Sequence, residues 1–199
     1  MGKVDENKRQ KKEALFNTAY DLVTQKGFNS TTISDIVEKA GVAKGTFYLY
    51  FKDKYDLKNK LIVHKTNDLF DRADKAVRKT DLHKLEDILI FIIDHLINEL
   101  VKNQALLHFI SKNLVMGALR STLLTGETNS SDIYERFIEF VNQDDNEYKD
   151  VDVMLFTIVE LAGSTAYNSI LYKEPLPIEE YKPFLYRCVR LIIKSHQVE

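Results

Sequence analysis

Apolar residues recur along this chain at three- and four-residue intervals, and that period belongs to helices rather than strands. Leu15, Ala19, Leu22 and Val23 form one amphipathic stripe, which Gly27 ends as a C-cap with Phe28 as its apolar cover. Ile33, Ile36, Val37 and Ala40 form a second, shorter stripe. Thr32 is its N-cap, Asp35 three residues on completes an acidic capping box, and Gly41 terminates it. A third short helix is expected from Lys44 to Phe51, with Phe47 and Phe51 turned inward. Asp53 then caps a long charged helix from Lys54 to about Lys79.

Beyond it the pattern becomes more apolar. Asp81–Val101 is hydrophobic nearly all round, which marks a central, buried helix. Residues 104–119 give another helix, 121–131 a loop, 132–142 a shorter helix and 143–150 an acidic loop. Val151–Tyr172 follows, then Pro175 and Pro177. Pro183, read as a first-turn proline, puts the regular part of the last helix near Lys182. The expected fold is all-α with about nine helices: a three-helix N-terminal domain over residues 1–52 and a larger helical domain over 53–199.

Two short helices around a glycine turn make a helix-turn-helix, whose second helix enters a DNA major groove. Lys44, Thr46, Tyr48 and Tyr50 lie on the outward faces of that second helix, with Lys54 just beyond it. A lysine reaches a base acceptor or a phosphate, and hydroxyls donate to phosphate oxygens. Gly45 lets the backbone approach the duplex closely. Thr32 and Ser34, at the head of the first motif helix, complete the candidate DNA contacts. The spacing alone is equally that of an ordinary helical hairpin with a solvated face, so both readings stay open at this level.

The residues A-G-V-A-K-G-T-F-Y-L-Y-F-K-D-K-Y-D-L, ending at Leu57, carry more. They resemble the helix-turn-helix signature of the TetR family of bacterial transcriptional regulators, with a glycine turn, G-T-x-Y-x-Y-F and a lysine before a new helix. The resemblance is dense over residues 31–57 and extends to the rest only by length and helical layout. Ala43 departs from it, standing where the family often has serine or threonine. The resemblance implies a homodimer on a palindromic double-stranded operator and a repressor released by a small-molecule effector.

Charge supports this placement. The net charge of −2 argues against indiscriminate nucleic-acid binding. Residues 1–60 hold 12 Lys+Arg against 8 Asp+Glu, whereas the remainder holds 16 against 22. Electrostatic attraction to DNA is therefore directed to the N-terminal end, where Lys8, Arg9, Lys11 and Lys12 form a basic run. The longest unbroken apolar run, Ile88–Ile93, is too short to cross a bilayer, and the charged N-terminus does not read as a signal peptide. Cys188 is the single cysteine, which suits a reducing cytoplasm.

In the larger domain Phe91, His95, Phe109, Met116, Phe156 and Tyr167 are candidates to line an apolar effector pocket with a few polar tips. Singly, each reads equally as core. Gly163 and Ala166 allow close backbone approach, and with Leu185, Cys188 and Ile192 they are the expected dimer interface on the last two helices. No metal spacing, nucleophile elbow, Walker loop or dinucleotide fingerprint occurs, so neither a cofactor nor an enzyme is expected. Two rival classes remain: a TetR-like protein binding DNA for a non-transcriptional role such as nucleoid organisation, and a helical enzyme or carrier.

Overall fold

The structure is a computed structural model that describes residues 3–110 and 133–198. Among the described residues there are nine helices: α1 Lys3–Lys26, α2 Ile33–Lys39, α3 Lys44–Tyr50, α4 Lys54–Val77, α5 Leu85–Lys102, α6 Gln104–Ile110, α7 Ile133–Gln143, α8 Val151–Leu171 and α9 Ile178–Ser195. An isolated antiparallel bridge joins Tyr148 and Gln197. The all-α class expected from the sequence is the observed one. The expected helix over 104–119 is seen as far as Ile110; its remainder and the 121–131 loop lie outside the described residues.

The chain divides into two compact units, residues 1–62 and 63–199, and the division falls inside α4. The expected boundary at residue 52 lies ten residues earlier. Leu57, Leu61 and Ile62 of the first turns of α4 are buried yet stand outside the apolar cluster of the larger unit.

In the N-terminal unit, α1 contributes Leu15, Phe16 and Ala19, α2 contributes Ile36 and Val37, and α3 contributes Phe47 to a buried core that continues into Phe51. Phe51 sits 5.3 Å from the rings of both Phe16 and Phe47. Each helix end is closed by local chemistry. Thr32 accepts from the Asp35 amide at 3.1 Å while the Asp35 carboxylate accepts from the Thr32 amide at 2.9 Å, a complete capping box. At the other end of α2, Gly41 has φ +66°, its amide bonds the Glu38 carbonyl and the Val42 amide bonds the Val37 carbonyl. This is the Schellman closure, and it makes the tight turn into α3. Asp53 caps α4 by accepting from the Tyr55 and Asp56 amides at 2.7 and 2.8 Å.

The larger unit is built on α5, with α7, α8 and α9 packed around it and the last turns of α4 supplying Ala73 and Val77. By length and composition α8 is apolar enough to cross a membrane, but Met154, Leu155, Ile158 and Val159 are buried in this core. The last helix differs from expectation. It starts at Ile178, with Pro183 inside it. The face Ile178–Lys182–Leu185–Val189–Ile193 is buried without interruption. Packing of that face outweighs the one backbone hydrogen bond that the proline removes. Lys182 is buried on this face yet charged. Its ammonium donates to Asn98 at 2.7 Å and pairs with Asp94 at 3.1 Å and Glu179 at 3.0 Å. Tyr186 donates to Asp94 at 2.6 Å, completing a polar tie between α5 and α9.

Candidate nucleic-acid interface and effector cavity

The seven residues of α3 sort cleanly by face. Phe47 is wholly buried, while Lys44, Gly45, Tyr48 and Leu49 are exposed. Gly45 is helical, and a Cβ built there meets nothing within 4 Å. Packing within the unit therefore gives no reason for a glycine; the space is free for an approaching partner. Tyr48 is 53% exposed, its ring edge-on to Phe47 at 5.4 Å, so the phenol is braced rather than loose. Ala43 precedes the helix in an extended conformation and offers no side-chain cap.

The other predicted contacts fare differently. Ser34 is exposed. Thr32 is exposed but committed to the capping box, and Thr46 is half-buried. Two expectations need correction. The Lys54 ammonium is turned inward, donating to the carbonyls of Phe28 and Thr31 at 3.0 Å each and lying 4.4 Å from the Phe28 ring centre. It closes the loop after α1, whose carbonyls have no helical partner, instead of projecting outward. The Tyr50 hydroxyl donates to the Lys8 carbonyl at 3.1 Å and so holds α1 to α3. That bond brings the basic run of α1 beside the outward helix, a proximity that the sequence only suggested through charge.

Lys26 pairs with Asp35 at 2.7 Å. Its hydrogen bond, joined by those of Thr32, lowers the Asp35 carboxyl from the ordinary 3.8 to about 2. The capping carboxylate at the head of α2 is thus ionised at any physiological pH.

In the larger unit a cavity of about 80 Å³ is enclosed by aliphatic side chains of α4, α5 and α8, among them Leu69, Ile93, Leu96 and Ile158. A neighbouring one of about 50 Å³ shares Phe70, Leu89, Ile92 and Leu155 with it and reaches Arg136, which pairs with Asp71. None of Phe91, His95, Phe109, Phe156 or Tyr167 is among the residues lining either cavity. Phe91 and His95 stack on each other at 6.3 Å, and Tyr167 meets His108 edge-on at 6.0 Å. Phe156 faces outward, 49% exposed. Met116 lies outside the described residues. The reason is one of face: α5 turns its aliphatic stripe to the cavity and its aromatic positions away from it.

The dimer candidates also divide. Ala166 and Leu185 are buried within their own unit, so these two are corrections, while Gly163 lines the cavity and is half-buried. Cys188 is exposed and Ile192 half-buried against the core. The exposed large apolar residues of α8 and α9 are Val153, Phe156, Phe184 and Leu191, none of them among the interface residues expected from the sequence. Among the described residues no group of His, Cys, Asp or Glu is arranged to hold a metal.

A glycine-turn helix pair with an open outward face, in a chain whose larger unit holds an aliphatic cavity, defines a helix-turn-helix protein. Residues 12–61, the helix-turn-helix region, match the family model described as bacterial regulatory proteins, tetR family. A curated relative, the fatty acid metabolism regulator protein of Bacillus subtilis, is 31% identical over 88 residues, covering 44% of this chain and 45% of the relative. The match thus spans less than half of that relative's own length. Among solved structures, a TetR-family transcriptional regulator from Streptomyces coelicolor superposes with a TM-score of 0.67 at 13% identity, covering 94% of this chain and 99% of its own. The regulator FadR from Bacillus subtilis, in complex with stearoyl-CoA, gives 0.55 at 17% identity, covering 92% and 98%. At such identities the two structures establish the fold.

Proposed function

We propose that this protein is a sequence-specific DNA-binding transcriptional regulator and not an enzyme. It works in the cytoplasm as a homodimer on a palindromic operator. The observation that carries the reading is the outward face of α3: a cation at Lys44, a braced phenol at Tyr48 and a backbone left open at Gly45. Phosphate contacts from such groups position a helix in the major groove, and base-edge contacts specify the sequence. The exposed apolar residues of α8 and α9 supply a self-complementary face for a two-fold partner.

We further propose that the protein represses, and that an effector with an aliphatic chain releases it. The cavity is lined almost wholly by apolar atoms, and a similar fold has been seen with stearoyl-CoA. Arg136, at the end of the smaller cavity and paired there with Asp71 and Asp74, is the cation that a polar head group would meet in this reading. The continuous helix α4 contributes Leu57 and Leu61 to one buried set and Ala73 and Val77 to the other, so a ligand that favours one setting of α4 shifts the recognition helices.

The test is binding-site selection from a random duplex library, followed by gel shift on the recovered sequence with and without stearoyl-CoA. The proposal expects one palindromic sequence, bound as a dimer and released by the acyl compound. By linkage, operator must weaken acyl-CoA binding by the factor that acyl-CoA weakens operator binding, typically about 5–150-fold. Recovery of no sequence overturns the DNA-binding reading, and equal acyl-CoA affinity with and without operator overturns the effector reading.

A further inference from the structure

We infer that Leu49 determines operator specificity by reading the 5-methyl group of a thymine in the major groove. The inference rests on the DNA-binding reading above and adds a base-reading residue to it.

Leu49 is 80% exposed, more than any other large apolar side chain among the described residues. Its place on the helix gives the exposure a direction. Residues four apart on a helix are neighbours on one face, so Leu49 stands one turn on from Gly45. Phe47 and Phe51 hold the opposite side of the helix in the core. Whatever approaches the open backbone at Gly45 therefore meets the Leu49 side chain next. The outward residues of the adjacent row, Lys44 and Tyr48, are polar or amphipathic and likewise stand four apart on one face.

The chemistry of the groove then selects the partner. Base edges in the major groove present hydrogen-bond donors and acceptors, and the thymine methyl is the one apolar group among them. Leucine has no donor or acceptor to offer a phosphate or a polar edge. Against a polar group it would lose nothing by truncation; against a methyl it excludes water from two apolar surfaces at once. A purely solvated leucine is the alternative, since isolated exposed apolar residues are ordinary on protein surfaces. The two readings differ in what a single methyl group on the DNA does.

The experiment takes the duplex recovered by selection with the full chain and replaces each thymine in turn by deoxyuridine, which differs only in lacking that methyl. Wild type should lose about four-fold in affinity at one thymine position per half-site, the fold-change that corresponds to one buried methyl-sized group. Leu49→Ala should bind the thymine and deoxyuridine duplexes alike at that position. Lys44→Ala, weaker overall, should retain the discrimination. The alanine variant removes an exposed side chain, and circular dichroism checks that its helix content is unchanged. If no thymine position matters to wild type, or if Leu49→Ala keeps the same penalty, the assignment is wrong. A wild-type protein that recovers no duplex at all overturns the DNA-binding reading, and this inference with it.

Discussion

The Tyr50 hydroxyl donates to the backbone carbonyl of Lys8 at 3.1 Å, across 42 positions of sequence. It joins the tip of α3 to the first turns of α1, where Lys8, Lys11 and Lys12 are exposed. A tyrosine that the sequence offers as a phosphate contact is in the structure a brace between two helices. The same residue is held from below, since Lys60 donates to the Tyr50 carbonyl at 3.1 Å.

Tyr50→Phe tests the brace. One exposed hydrogen bond contributes about 0.5–1.5 kcal/mol, so the variant should remain folded. Its operator affinity should fall because the basic turns of α1 lose their fixed position. Measured against salt, the loss should overlap with that of Lys8→Ala, and the double variant should be less than additive. Strict additivity would show that Tyr50 acts on DNA independently of α1.

Gly45→Ala separates stability from binding. The position is helical, and a methyl group there meets nothing within 4 Å. Alanine in a helix interior is favoured over glycine by roughly 0.5–1 kcal/mol. The midpoint of thermal unfolding should therefore rise, while operator binding weakens because the backbone can no longer come close. A variant that is both more stable and equally tight on DNA would remove Gly45 from the interface.

Ala43 leaves the first amides of α3 without a side-chain partner. Ala43→Ser supplies an acceptor in an already extended backbone, and such caps contribute about 0.5–2 kcal/mol. Denaturant unfolding should show a gain within that range. A loss would mean that the exposed Ala43 site cannot turn a hydroxyl onto the helix.

These positions also show what could be read from the chain. The ends of α2 were legible because Thr32, Asp35, Gly41 and Val42 act on neighbours within five residues. Lys54 was not, because its partners Phe28 and Thr31 lie 26 and 23 residues away and are backbone carbonyls that any sequence would offer. Aromatic residues are the sequence's candidates for a pocket, whereas the cavity is aliphatic, and a buried aliphatic stripe looks the same in sequence whether it encloses space or not. The burial of Lys182 is illegible for a related reason: nothing local announces a lysine whose partners Asp94 and Asn98 are 88 and 84 positions distant.

Asp35 predicts a pH dependence. Its carboxyl is lowered from 3.8 to about 2, chiefly by the Lys26 hydrogen bond. A group whose folded pKa is depressed favours the fold above its unfolded pKa, and that contribution disappears as pH falls through the folded value. Asp35 should therefore support α2 fully above about pH 4 and cease to do so near pH 2. Carbon-detected NMR titration of the Asp35 carboxyl gives the midpoint directly. Lys26→Met should move it up toward 3.8, and an unmoved midpoint would assign the shift to the Thr32 bonds alone.

The last helix carries two apolar stripes, and they predict opposite phenotypes. Leu185, Val189 and Ile193 are buried within their own unit, while Phe184, Cys188 and Leu191 recur at the same helical spacing on the outward side. In the sequence the two stripes run together, so spacing alone does not separate Leu185 from the outward residues. Truncating a buried leucine leaves a cavity as well as losing apolar burial, so Leu185→Ala should cost about 2–5 kcal/mol of stability. Leu191→Glu changes a side chain that is 61% exposed and leaves the core untouched. A charge placed in the middle of an apolar face between two copies has no partner there and opposes association. Sedimentation should then report a monomer with unchanged helix content, and operator binding should be lost along with the dimer because two half-sites must be engaged together. If Leu191→Glu instead remains dimeric and binds operator as wild type does, the outward stripe of α9 is not the surface through which two copies meet.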